Sequence, residues 1–400
     1  MTVLEILFWL CVSLILYTYL GYGSLVMILS RFKGRSPRAE VSGPDPEPTV
    51  TLVVAAFDEG PWLERKIANT LELDYPGEKF RILLVVDGEM DEASRQAALR
   101  SGRIAVLRRS ERLGKMAAIN RAMPGVDTEV VVFSDANSML NREAVRELVR
   151  HFADPGVGCV TGEKCVFSGK DAGGSGEGIY WRYESRIKSA EAGMGSCIGA
   201  VGELYAIRTA LFRELPDDTI VDDFSISMDI VRRGYRIAYA PGARAAEPAS
   251  ASLSEEFERK ARISAGGLQS LRRMSGLLNP FRHGVVSFQY LSHKVLRSFL
   301  VPPALFACLP LNLALLSKGR PIYLALFLSQ LLFYGIAAWG LLSKDKATSS
   351  RFLFVPLYVG LMNAAALAGA CRYLLGRQPV QWKKARRAAD TPAAAEGDPK

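Results

Sequence analysis

Four charge-free apolar runs, at residues 6–30, 298–317, 321–343 and 352–371, constrain this 400-residue chain more than any other feature. Runs of that length close their backbone hydrogen bonds within one helix and can cross a bilayer. They predict one membrane helix ahead of a long globular stretch and about three behind it. The first run has no basic segment before it and is long for a cleaved leader, so it reads as an anchor. Trp9, Tyr17, Tyr19 and Tyr22, and later Tyr323, Tyr334, Trp339 and Tyr358, are aromatics that suit membrane segments. Pro302, Pro303 and Pro310 make 298–317 the weakest span, because proline removes backbone donors.

The flanking charges carry the orientation. Arg31, Lys33, Arg35 and Arg38 follow the first run, and Arg282, Lys294 and Arg297 precede the second, so the globular stretch is expected on the cytoplasmic side. Three further crossings would carry the C-terminus outside. Arg372, Arg377, Lys383, Lys384, Arg386 and Arg387 argue the opposite, and the sequence leaves open whether a late run stops short of crossing. The formal net charge of +9 sits largely at these flanks and in the tail, which fits anionic lipid headgroups and no nucleic acid. The six cysteines form no CxxC, which excludes a zinc ribbon or disulfide framework. The three histidines are dispersed, and His151 is expected on a solvated helix face.

Within the globular stretch, short β-branched runs alternate with helical segments. Strands are expected at 49–55, 81–86, 104–107, 129–133 and 157–160, with helices near 61–73, 91–101, 115–122 and 141–152. This βαβα order predicts an α/β domain with a mostly parallel sheet and helices on both faces. A glycine-rich stretch, Gly169 to Gly178, then breaks the alternation and a mixed second half follows.

Three strands end in acids. The 49–55 strand runs into Asp58-Glu59, the 81–86 strand into Asp87, and the 129–133 strand into Ser134-Asp135-Ala136-Asn137. Ligands of open α/β sheets bind at the C-terminal edge of the strands. Carboxylates gathered there suit a divalent cation and a phosphorylated ligand.

The ordered set Asp58-Glu59, Asp87 with Asp91, Arg112-Leu-Gly-Lys115, Asp135-Ala-Asn137 and Asp222-Asp223 resembles family 2 glycosyltransferases. Together with the membrane runs it is similar to the branch containing cellulose, chitin, hyaluronan and poly-N-acetylglucosamine synthases. The resemblance implies a GT-A fold, a nucleotide-sugar donor linked to UDP, Mg²⁺ or Mn²⁺, and inversion by single displacement. It implies that Asp58 and Asp87 meet the nucleoside, with Glu59 beside them. Arg112 and Lys115 would serve the donor, Asp135 and Asn137 the metal, and Asp223 the base beside Asp222. Gly199 and Gly202 lie in the segment matching the family's acceptor loop, although a tight turn before strand 204–207 explains them equally well.

Two departures matter. Relatives commonly have Asp-x-Asp where this chain has Asn137. Polymerising relatives have Gln-x-x-Arg-Trp where it has Arg259-Lys-Ala-Arg262-Ile263, so Arg262 keeps a diphosphate role but the sugar-stacking aromatic is gone. Trp181 and Tyr183, with Tyr180, are expected to pack as core. Residues 254–275 form an amphipathic helix, expected to lie on anionic lipid.

The resulting layout is a membrane helix at 1–30, a GT-A domain at 48–250, interfacial helices at 254–290, a membrane region at 298–375 and a basic disordered tail at 376–400. The expected function is inverting sugar transfer to a growing polysaccharide or glycan at the cytoplasmic membrane face, with export or assembly subunits as further partners. Single addition to a lipid-linked acceptor is the alternative. A non-catalytic scaffold is the reading from another class.

Overall fold

The structure, a computed structural model, describes residues 1–33, 46–167, 172–248, 250, 252–342 and 351–379. Arg35, Arg38 and the tail beyond 379 therefore lie outside the described residues.

Eight strands form one sheet in the order β3-β2-β1-β4-β7-β6-β8-β5. They are β1 Val50–Phe57, β2 Phe80–Asp87, β3 Ile104–Arg109, β4 Val130–Asp135, β5 Met139–Leu140, β6 Val157–Phe167, β7 Leu204–Arg208 and β8 Arg236–Pro248. The first half is parallel as expected, with β1 between β2 and β4. Alternate residues of these strands feed two apolar clusters. Leu52, Val54, Ile82, Leu84, Val130 and Val132 pack on one face, and Val53, Val85, Val131 and Phe133 on the other. Burial on both faces is why these strands read as unbroken apolar runs.

The second half is mixed, as expected after the break in the alternation. β7 runs antiparallel to both β4 and β6, so the sheet is mixed. The long β8, which pairs with β6, was not foreseen. Its sequence, Arg-Ile-Ala-Tyr-Ala-Pro-Gly-Ala-Arg-Ala-Ala-Glu-Pro, is alanine-rich and carries proline and glycine, a poor strand signature. The helix expected over 141–152 is shorter, at Ala144–Val149, and continues as a 3-10 turn, Arg150–Ala153. His151 is half-buried there instead of solvated, and burial, then the Arg150 charge, lowers its pKa to about 4. Described residues of the glycine-rich stretch open a helix, Ala172–Met194. All six cysteines are free.

Four helices are long and apolar enough to cross a membrane: Val3–Phe32, Val285–Lys318, Pro321–Leu342 and Leu353–Leu374. The second begins well before the apolar run, so Lys294 and Arg297 lie within it. Its stretch Tyr290–Leu300 is a π-helix that ends just before Pro302 and Pro303, where the missing N–H groups fall in the first turn of the next segment. Phe8, Leu315 and Tyr323 cluster at one end of the first three helices, where the Tyr323 hydroxyl donates to Glu5 at 3.0 Å. At the other end Tyr17 and Ser292 share a hydrogen bond of 2.8 Å.

The fourth helix behaves differently. Its Tyr358 hydroxyl donates to Glu256 at 3.3 Å, its Ala366 carbonyl accepts from Ser264 at 2.9 Å, and its Arg372 pairs with Glu258. It therefore packs along the Leu253–Arg273 helix, and it packs against the third helix, Pro321–Leu342, as well. A Cβ at Gly369 would fall 2.0 Å from the Ala261 carbonyl, so the two backbones touch. On the apolar face expected for residues 254–275, Ala261 and Ser264 are buried against this fourth helix. Small residues on that face permit the contact.

Candidate active site

Strand register gathers the acids. Asp87 is the Cα partner of Phe57, and Asp135 that of Ala55, so both leave the same edge. Asp87 is buried, accepts from Arg121 at 2.7 Å and from the Leu113 N–H at 3.3 Å, and so fixes the loop Arg112-Leu113-Gly114. The Arg112 guanidinium lies over the Phe57 ring, 3.9 Å from its centroid. Gly114, at φ 105°, turns that loop into the Lys115–Ala122 helix.

Lys115 is the centre of the acidic edge. Its ammonium lies 2.7 Å from Asp135 Oδ1 and 3.1 Å from Asp222 Oδ2. Burial works against that charge, but Asp135, Asp222 and Asp223 outweigh it and hold the lysine above its ordinary range. Asp222 Oδ2 is buried and, despite the ion-pair distance, makes no hydrogen bond. Burial, and next the Asp222 charge, push the Asp223 carboxyl up to about 7 against the pull of Lys115. Neither acid caps its helix, Asp222–Arg232, whose N-cap is Val221 with no side-chain bond.

Beneath Asp135 lies a group that sequence reasoning missed. Lys66 is fully buried and donates to Ser134 Oγ at 2.7 Å and to the Ser138 carbonyl, pinning both sides of the Asp135 turn. Burial lowers its pKa to about 7 against the Asp135 charge. Asn137 lines the same cavity, half-buried. Glu59 lines it too, whereas Asp58 is exposed at the β1 turn with φ 51°. Asp91 serves as an N-cap, accepting from the Ser94 N–H at 2.9 Å.

Gly199 and Gly202 stand against the first turn of the Asp222–Arg232 helix. A Cβ at Gly199, which has φ 80°, would fall 2.4 Å from the Phe224 ring, and one at Gly202 3.2 Å from Asp223 Oδ2. The segment is tethered at each step. Ile198 N–H donates to Glu191 at 3.2 Å, Ala200 N–H to Ser227 at 3.0 Å and Val201 N–H to Thr161 at 3.0 Å. Lys188 Nζ donates to the Gly199 carbonyl at 2.7 Å. Glu191 also accepts from Tyr22 and shares 2.8 Å with His293 Nδ1, so the loop is wired to two membrane helices. The only sequence signal for this wiring is ionisable residues within otherwise apolar helix faces.

Asp87, Lys115, Asp135, Asn137, Gly202, Asp222 and Asp223 all line one cavity of about 1770 Å³. Arg262 lines it, donates to the Ile220 carbonyl at 3.3 Å, and stands within the field of Asp222, Asp223 and Asp135. Ile263 is exposed to the same space. Trp181, half-buried, lines it too, which corrects its assignment to core. The Lys164 ammonium lies 4.8 Å from its ring centroid, buried between Glu203 and Glu247. Tyr183 does pack internally, its hydroxyl donating to the Tyr19 carbonyl at 2.8 Å; the Tyr180 side chain lies outside the described residues.

Among the described residues no three His, Cys, Asp or Glu side chains form a metal cage. The donor set nonetheless fits a hard cation. Asp135, Asn137 and the unbonded Asp222 Oδ2 supply oxygens alone, and Mg²⁺-type ions take only one or two carboxylates beside substrate phosphates.

A family model described as glycosyltransferase like family 2 matches residues 46–266, more than half of the chain. The chain belongs to that family. Family 2 relatives include the poly-beta-1,6-N-acetyl-D-glucosamine synthase of Staphylococcus aureus (strain COL), 25% identical over 235 residues, 56% of each chain. The beta-monoglucosyldiacylglycerol synthase of Nostoc sp. (strain PCC 7120) is 24% identical over 231 residues, 53% of this chain and 46% of that one. The match thus spans about half the length of these curated relatives. A mannosyltransferase from Pyrobaculum calidifontis, solved with GDP-Man and Mn2+, superposes with a TM-score of 0.70 at 23% identity, covering 93% of this chain and 99% of that one. The family 2 chain therefore has the GT-A fold, with apolar helices at both ends.

Proposed function

We propose that this chain transfers a sugar, with inversion, from a nucleotide-sugar donor to an acceptor at the cytoplasmic face of a membrane. The observation that carries the reading is the convergence of Lys115, Asp135, Asp222 and Asp223 in one cavity.

The nucleoside lies by Asp87 and the Arg112–Phe57 pair, with Glu59 at its rim and Asp58 at the β1 turn beyond. Lys115 and Arg262 approach the diphosphate from two sides. Asp135, Asn137 and Asp222 would hold Mg²⁺ or Mn²⁺, which when bound neutralises charge on the departing nucleoside diphosphate. Asp223 takes the proton from the acceptor hydroxyl as its oxygen bonds to the anomeric carbon and the bond to the diphosphate oxygen breaks. A carboxyl held near neutrality is suited to that task. Gly202, with no side chain, leaves room for the acceptor beside Asp223.

The helix contacts support a topology in which three helices cross and the fourth lies along the Leu253–Arg273 helix, leaving Arg372 and Arg377 on the domain side. That arrangement satisfies the positive-inside rule at both ends.

The test is nucleoside diphosphate release by purified protein across common donors, with Mn²⁺ or Mg²⁺ present or chelated. Metal-dependent release supports the reading. Inactivity with every donor would favour a non-catalytic scaffold.

A further inference from the structure

Resting on that transfer reaction, we propose that the acceptor is a membrane lipid with a hydroxyl-bearing head group, its apolar chain seated between the second membrane helix and the fourth. The cavity that contains Asp223 does not end at the polar site. It continues to Val355, Val359, Met362 and Ala366, which follow one another at 4-3-4 spacing and so share one face of the fourth helix. Val295 and Phe299 face them from the second helix, and Leu20, 64% exposed, from the first.

This cleft lies where the bilayer meets the domain. Asn363 donates to the Tyr19 hydroxyl at 2.8 Å, and Ser264 to the Ala366 carbonyl at 2.9 Å, so membrane helices and domain helix meet around it. A lipid entering there keeps its chain in hydrocarbon and presents its head to Gly202 and Asp223. The stripe itself is aliphatic and suits an acyl chain better than a sugar polymer, although Phe299, Tyr358 and Asn363 beside it carry ring faces and polar groups. Ile263, at the junction of the two parts, likewise continues an apolar wall. The occupant is thus a single lipid molecule, continuous with the reaction site, and not a growing polysaccharide.

The experiment gives the full-length protein in nanodiscs the nucleotide sugar that it hydrolyses, with hexyl, octyl, decyl and dodecyl β-glucosides as probe acceptors. KM is expected to fall with chain length, by up to roughly fourfold per methylene. Membrane partitioning contributes to that trend, so Val359→Trp and Met362→Trp separate the two. Both are expected to lower the ratio of transfer to donor hydrolysis about tenfold for the dodecyl acceptor and less than twofold for the hexyl one. A diacylglycerol with a diazirine at its chain end, tested on the unmutated protein, is expected to label Val359 and Met362, and dodecyl β-glucoside to compete that label away. Donor turnover without chain-length dependence, or Trp variants that affect all acceptors alike, or long polymer made on free glucose, would overturn the cleft while leaving sugar transfer standing. No diphosphate release from any donor would overturn both.

Discussion

The two ends of the cavity are held by different forces. At the donor end, Asp87 and Asp135 are fixed by parallel strand register over two apolar layers. At the acceptor end, the Gly199–Gly202 segment is held by buried charge: Lys188 on the Gly199 carbonyl, Glu191 on the Ile198 N–H, and His293 and Tyr22 from the membrane helices on Glu191. Apolar layers are forgiving of solvent changes around the membrane helices. A buried ionic cluster shared with those helices is not, because loss of one partner strands the rest. The acceptor end should therefore be the fragile one.

The comparison breaks first if catalysis survives loss of the donor-end acid. Asp135→Ala is expected to cut turnover on the order of 10³-fold without changing the melting temperature appreciably, since its shell is held by Lys66 and the sheet. Steady-state kinetics and thermal unfolding measure both. Lys164→Met tests the other end. It leaves Glu203 and Glu247 buried without their shared cation, at a cost of about 3–5 kcal/mol. Urea unfolding should show a loss of that size, and an unchanged midpoint would mean that the acceptor half does not depend on its buried charges.

Gly202→Ala sharpens the contrast, because its Cβ would stand 3.2 Å from the Asp223 carboxylate. Acceptor turnover is expected to fall about tenfold, the order of one misplaced catalytic group, with donor hydrolysis far less affected. The smallest effect is Asn137→Asp, which restores an acid common among relatives. Turnover should stay within about threefold of the parent, the span of a weak electrostatic change. A hundredfold loss would show that Asn137 has a role an acid cannot fill.

The same division governs what the sequence revealed. Residues that are local to a strand end, Asp87 and Asp135, announced themselves, because a buried parallel strand is an apolar run and its ligand edge follows it. The Lys115 loop and Asp222-Asp223 were legible as motifs. Lys66, Lys164, Trp181 and Glu191 were not, because their partners lie far away in sequence and nothing local separates a buried lysine from a solvated one. β8 was hidden by its alanines. The fourth helix was left open for a related reason: apolar length alone says that a helix can cross a bilayer, and its contacts with Glu256, Ser264 and Glu258 are what support the proposal that it lies along the domain. A C-terminal reporter accessible only from the cytoplasmic side is the expected result; exposure on the opposite side would restore four crossings.

The central claim is that Asp223 is the base of a sugar transfer that occurs beside Lys115 and Asp135. Asp223→Asn keeps the shape and removes the proton acceptor. Binding of the nucleoside diphosphate with Mn²⁺, followed by calorimetry, should be retained while turnover falls by roughly 10²-fold or more. Near-parental turnover, or loss of nucleoside diphosphate binding together with turnover, would contradict the assignment.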